Sequence, residues 1–90
     1  MVNAIVLLRV QRERLNDVAQ SMSELKGVSE VYYVAGKWDL VAMLRARDDD
    51  EFAAIVTEGM LRIEGIKASE TLIAFQVLSR FDLDSLFRPA

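Results

Sequence analysis

The 90-residue sequence predicts an α+β fold, one four-stranded antiparallel sheet with two helices on one face. Three observations predict it. Segments rich in branched apolar residues alternate with segments whose apolar residues recur at helical spacing. The order is strand, helix, strand, strand, helix, strand. One joint, made of a helix end, a glycine and a strand start, occurs twice: Leu25-Lys26-Gly27-Val28 and Ile63-Glu64-Gly65-Ile66.

Each element follows from its residues. Residues 2–10, Val-Asn-Ala-Ile-Val-Leu-Leu-Arg-Val, lack breakers and read as a strand. From Arg12 to Lys26, Leu15, Val18, Ala19, Met22 and Leu25 form one stripe of an amphipathic helix. Gly27 then stands where a left-handed C-terminal cap is usual. Val28 to Ala35 is a second strand, Gly36-Lys37 a tight turn and Trp38 to Arg47 a third strand, so these two form a hairpin. The second helix opens at Asp48-Asp49-Asp50-Glu51, carries Phe52, Ile55, Val56, Met60 and Ile63 at helical spacing, and ends at Gly65. Ile66 to Leu78 is a long fourth strand, and Asp82 to Phe87 can form one terminal turn before Pro89.

Two βαβ units joined by a hairpin make the ferredoxin-like βαββαβ arrangement, and right-handed crossovers place both helices on the same face. The expected organisation is one domain over residues 1–80 and a C-terminal tail over 81–90. With helices on one face, the other face of a monomer's sheet should be polar. It is not. The first strand has Ala4, Val6 and Leu8 on one side and Ile5 and Leu7 on the other; the third has Leu40, Ala42 and Leu44 against Val41 and Met43; the fourth has Leu72, Ala74 and Leu78 against Ile73, Phe75 and Val77. The tail residues Phe81, Leu83, Leu86 and Phe87 are too few to cover a whole sheet. The expectation is a dimer that packs through its open sheet faces. In the second helix Leu61 lies nearly opposite the Phe52/Val56/Ile63 stripe, either as an ordinary exposed leucine or as a second contact between dimers.

Composition narrows the chemistry. Eleven Lys/Arg against 14 Asp/Glu give a net charge of −3, which does not suit free-standing nucleic-acid binding. The sequence has no cysteine and no histidine, which removes disulfides, Cys/His zinc sites, thiol nucleophiles and every histidine-based catalytic arrangement. No catalytic residue, metal site or cofactor is expected. No G-x-S-x-G is present, and the four glycines are too scattered for a phosphate loop. The run Asp48 to Glu51 has the spacing of a helix capping box rather than of a calcium loop. No apolar run approaches the ~20 residues of a membrane span. With no signal sequence in view, the expected location is the cytoplasm.

The segment Gly36-Lys37-Trp38-Asp39 holds the most chemistry. An aspartate beside a tryptophan at the start of an apolar strand is costly if buried without a partner. Two readings are open. In one, Asp39 bonds turn amides while Trp38 plugs the core. In the other, Asp39, the turn amides and Trp38 line a pocket at a subunit boundary, to which Ser69 and Thr71 offer hydroxyls.

Val31-Tyr32-Tyr33-Val34-Ala35-Gly36-Lys37-Trp38-Asp39-Leu40-Val41 resembles the hairpin of the effector-binding domain of the Lrp/AsnC family of prokaryotic transcription regulators. The stretch Leu61-Arg62-Ile63-Glu64-Gly65-Ile66-Lys67-Ala68-Ser69-Glu70-Thr71 is similar to that family's helix end, Gly-Val joint and Thr-x-Thr strand. The G-x-x-D motif is short, but with the second joint and the element order it is fairly specific. The match runs from about Val2 to Leu78, with Ser69 where threonine is common.

The resemblance implies sheet-to-sheet dimers that assemble further, to octamers or similar rings, and that bind amino acids or related small effectors between dimers. Carried over by position, the ligand-binding residues are Gly36, Lys37, Trp38, Asp39, Ser69 and Thr71. Tyr32, Leu61, Leu72, Ile73 and Ala74 match positions of assembly or effector response. The family's helix-turn-helix has no counterpart in this sequence, which implies a stand-alone effector domain that binds no DNA itself. Its alternatives are a ligand-free modulatory subunit that co-assembles with a full-length regulator, a small ferredoxin-like enzyme, and an ACT-type amino-acid sensor of similar topology.

Overall fold

The computed structural model describes residues 1–76 and 78. Strand β1 is Val2–Val10; a short 3-10 turn, Arg12–Arg14, leads into helix α1, Leu15–Ser23; β2 is Val28–Tyr33 and β3 is Leu40–Ala46. Helix α2, Asp49–Ala54, continues through a wider turn, Ile55–Gly59, and a 3-10 turn, Met60–Arg62, before β4, Ile66–Ala74. The sheet order is β2-β3-β1-β4 and all three pairings are antiparallel. This is the ferredoxin-like βαββαβ fold expected from the sequence.

The boundaries differ from the expected ones in instructive ways. The β2–β3 connection is a six-residue loop, 34–39, rather than a two-residue turn at Gly36-Lys37. It closes through Val34 N–H to the Asp39 carbonyl, at 3.0 Å. Strand β4 ends at Ala74, level with Asn3 near the start of β1, where its pairing partner runs out. Val77, the terminal turn and the tail lie outside the described residues, so the structure does not bear on whether the tail covers the sheet.

Alternation along the central strands builds the core. Ala4, Val6, Leu8 and Val10 of β1 and Leu40, Ala42, Leu44 and Ala46 of β3 all point to the helix side and are buried. Against them α1 lays Val18, Ala19 and Met22, and the second helical segment lays Ile55 and Met60. No polar or charged side chain is buried among the described residues. The core is therefore held by apolar burial alone, at about 25 cal/mol per Å².

The acidic run caps α2. Asp48 Oδ1 accepts from the Glu51 N–H at 2.8 Å. Glu51 reaches back past the cap to accept from the Arg47 N–H at 3.1 Å, and it pairs with the Arg47 guanidinium at 2.8 Å. The Arg47 side chain and backbone together hold the Glu51 carboxyl below its ordinary value.

Gly27 closes the first joint at φ +91°, and a Cβ there would lie 2.6 Å from the Arg45 carbonyl oxygen. Its own carbonyl accepts from the Arg45 N–H at 2.8 Å, so the close approach is part of how the joint is tied to β3. Neither the dihedral nor the space suits another residue. Gly27→Ala is expected to lower unfolding stability by about 2 kcal/mol or more, read from urea denaturation. A change within error of zero would mean the joint tolerates a side chain.

Candidate functional site

Asp39 sits at the corner where β1 and β3 part. Its backbone N–H donates to the Leu8 carbonyl at 2.8 Å, and its Oδ2 accepts from the Val10 N–H at 2.9 Å. The β1–β3 register stops at Leu8↔Leu40, so no β3 carbonyl reaches Val10. The aspartate side chain takes that place. Here the structure departs from the first sequence reading: Asp39 bonds a strand amide, not turn amides, and Trp38 is half-buried at the edge rather than a core plug. Asp39 Oδ1 accepts no hydrogen bond among the described residues.

The corner opens into a hollow of about 310 Å³ lined by Arg9, Val10, Arg12, Leu15, Asp39 and Lys67. The end of β1, the turn into α1, the first residue of α1 and the start of β4 meet the β2–β3 loop there. The Arg9 guanidinium lies 5.7 Å from the Trp38 ring centroid, and Lys37 places its ammonium 5.9 Å from the same ring. The ion pairs among the described residues involve Arg14 and Arg47 and leave Arg9, Arg12 and Lys67 without a carboxylate partner. Sequence reasoning missed these three cations. Its one available signal was Arg9, the single charge inside a mostly apolar strand.

The structure spreads the other residues expected at the site. Gly36, exposed at φ +124°, shapes the loop with open space around it. Ser69 pairs with Leu8 and Thr71 with Val6, which puts both hydroxyls on the helix side of β4, outside the hollow. Within one protomer they share no hydrogen bond with the hairpin among the described residues. Leu61 lies on the 3-10 turn that ends the second helical segment and is 67% exposed. Ser23-Glu24-Leu25-Lys26 has the S-x-x-K spacing of some serine nucleophiles, a match overlooked in the sequence. The Ser23 hydroxyl donates to the Gln20 carbonyl at 2.7 Å on an exposed helix end, where no base faces it among the described residues.

The sheet face away from the helices is apolar at its centre. Register places Ile5 beside Met43 and Leu72, and Leu7 beside Val41 and Glu70. Glu30 lies level with Met43, and Tyr32 with Val41. The Tyr32 hydroxyl donates to the Glu30 carboxylate, which raises its pKa above the ordinary value. Arg45 and Arg9 stand at opposite ends of the two central strands. Half a turn about the sheet normal carries Met43 onto Leu7, Val41 onto Ile5, Glu30 onto Glu70, Tyr32 onto Leu72 and Arg45 onto Arg9. Ala74 shares this face beside Asn3, whereas Ile73, opposite Ala4, points to the helix side and is 57% exposed. A larger hollow of about 390 Å³ lies at the β1-start end of this face, lined by Asn3, Ile5, Met43, Arg45 and Ala74 among others. It is a shallow apolar depression away from the charged corner. No helix of the described residues is long and apolar enough to cross a membrane.

Comparison with known proteins gives a consistent result. A family model described as the Lrp/AsnC ligand binding domain matches residues 3–82. An HTH-type transcriptional regulator of Pyrococcus furiosus is 33% identical over 75 residues, which are 80% of this chain and 50% of that protein. The chain thus spans about half the length of the curated relatives it matches. Among solved structures, TTHA0845 from Thermus thermophilus is 41% identical with a TM-score of 0.83, over 89% of this chain and 100% of that one. A transcriptional regulator of Neisseria meningitidis, solved as a complex with L-Met, shares the fold at a TM-score of 0.72 and 16% identity, over 94% of this chain and 58% of that one.

Asp39→Ala removes the acceptor of the Val10 N–H and is expected to cost about 1–2 kcal/mol in thermal or urea unfolding. Asp39→Asn keeps an oxygen there and is expected to stay within about 0.5 kcal/mol of the native chain. Equal losses for both would show that charge, not the acceptor, holds the corner.

Proposed function

The chain belongs to the Lrp/AsnC ligand-binding-domain family, and on that premise we propose that it is a small-effector module that binds an amino acid and assembles with further copies of itself. The observation that carries the reading is the corner hollow. There Asp39, with a carboxylate oxygen that accepts no hydrogen bond among the described residues, shares the lining with Arg9, Arg12 and Lys67, next to the chain's single tryptophan. A free amino acid needs an acceptor for its ammonium group and donors for its carboxylate. Asp39 supplies the first and Arg9, Arg12 and Lys67 the second; the loop residues Gly36 and Lys37, outside the lining within one protomer, are assigned to the rim of the site. Trp38, next to Arg9, borders the hollow.

Ser69 and Thr71 complete the proposed ligand set from a neighbouring subunit, since within one protomer they lie outside the hollow. A ligand shared between subunits favours the larger assembly by mass action. Tyr32, Leu72 and Ala74 on the open face are assigned to the dimer, and Leu61 and Ile73, exposed elsewhere, to contacts between dimers. The L-Met complex of the Neisseria regulator supports an amino-acid ligand. The Thermus protein, matched over its whole length, supports a module that folds without a DNA-binding part. A regulatory role then runs through effector binding or co-assembly with a full-length regulator. Cytoplasmic residence and a domain over residues 1–80 with a short tail belong to the same proposal.

Trp38 fluorescence titrated with each standard amino acid is expected to saturate for a few of them. Asp39→Asn is expected to weaken that binding about tenfold or more while the fold is kept. A flat response across the panel from folded, oligomeric protein would overturn the effector reading in favour of a modulatory subunit. Met43→Glu puts a charge at the centre of the open face. It is expected to yield monomers in sedimentation with unchanged far-UV circular dichroism; dimers that persist would overturn the face assignment.

A further inference from the structure

The hollow at the Asp39 corner has a charge balance that a neutral amino acid does not use. Arg9, Arg12 and Lys67 bring three positive charges to its wall and Asp39 one negative charge. None of the three cations has a carboxylate partner among the described residues, although the chain as a whole is acidic, with 14 Asp/Glu against 11 Lys/Arg. The cations also come from three separate elements: the end of β1, the turn before α1 and the start of β4. They converge because the β1–β4 register slips between Arg9 and Val10, which sets Ile66 opposite Val10 and brings Lys67 to the same corner. The Arg9 guanidinium lies within cation–π range of the Trp38 ring, at 5.7 Å from its centroid, which holds Arg9 near the corner.

Resting on the effector reading above, we infer that this hollow selects an amino acid whose side chain carries a second carboxylate. The ammonium group meets Asp39 Oδ1. The two carboxylates share Arg9, Arg12 and Lys67, with the guanidinium groups able to take one carboxylate through two parallel hydrogen bonds. A neutral amino acid leaves the surplus positive charge uncompensated, and a basic one adds to it. A dicarboxylate without an ammonium group leaves Asp39 facing an anion.

The full-length chain is titrated with aspartate, glutamate, asparagine, glutamine, lysine and succinate at one pH and ionic strength, followed by Trp38 fluorescence and by calorimetry. Aspartate or glutamate is expected to bind at least tenfold more tightly than its amide, and lysine and succinate more weakly than either acid. Lys67→Glu, at an exposed position, is expected to keep the fold and to lower affinity for the acid by about tenfold to a hundredfold, which narrows the gap to the amide. An amide that binds as tightly as its acid overturns the selectivity while the effector reading stands. Succinate binding equal to that of aspartate overturns the role of Asp39 toward the ammonium. A Lys67→Glu variant with unchanged preference overturns the role of Lys67. Silence toward every standard amino acid overturns the effector reading itself.

Discussion

Strands β1 and β3 lie side by side at the centre of the sheet, paired from Val2↔Ala46 to Leu8↔Leu40. Because side chains alternate, this one register puts Ala4, Val6 and Leu8 next to Leu44, Ala42 and Leu40 under the helices. A slip of β1 by one residue would turn Ala4, Val6 and Leu8 to the opposite face and bring Ile5 and Leu7 inward. Every other element is positioned by this pair. Met22 and Val18 of α1 and Met60 beyond α2 find their holes against it. The edge strands β2 and β4 extend it on either side, and its far end, where β3 turns away from Val10, is where the charged corner forms.

On the proposed reading, one side chain at that corner has two roles. Asp39 uses its backbone and Oδ2 to finish the sheet, and these bonds hold the carboxylate in one orientation. The remaining oxygen is presented at fixed geometry, without the entropy cost of ordering a free side chain. The short G-x-x-D spacing follows from this. Gly36 shapes the loop, two residues carry the chain across the sheet end, and the aspartate arrives opposite the unpaired amide of Val10.

Much of the fold was legible in the sequence, because helical and strand periods are written in the same apolar residues that later form the core. Leu15, Val18, Ala19 and Met22 marked α1, and the two Gly joints marked the repeat. The two-faced apolarity of β1 and β3 was legible for the same reason. Less could be read where backbone departs from regular pairing. The six-residue loop looked like a tight turn because Gly36-Lys37 has turn chemistry, while the bond from the Asp39 backbone to Leu8 is a long-range fact. The β1–β4 slip left no mark on the strand pattern, yet it decides where Lys67 and Ala68 point. For that reason Arg9, Arg12 and Lys67, far apart in sequence, could not be grouped. Gly36 to Asp39, adjacent in sequence, stood out at once. Ile73 was grouped with Leu72 and Ala74 by the family resemblance, while the alternation legible in the sequence already set it on the other face, where the register places it.

The open face returns almost to itself after half a turn, with apolar residues over apolar, glutamate over glutamate and arginine over arginine. Such a surface is degenerate in orientation. A flat apolar partner can land on it in two poses that bury similar groups, which widens the target for a productive encounter. Among the described residues the degeneracy is broken where Tyr32 faces Leu72 across the pseudo-axis, where Asp39 stands opposite Asn3, and at Ala68 and Ala74, which have no like counterpart on β2. Those few atoms, rather than the large apolar centre, carry the information that tells one pose from the other.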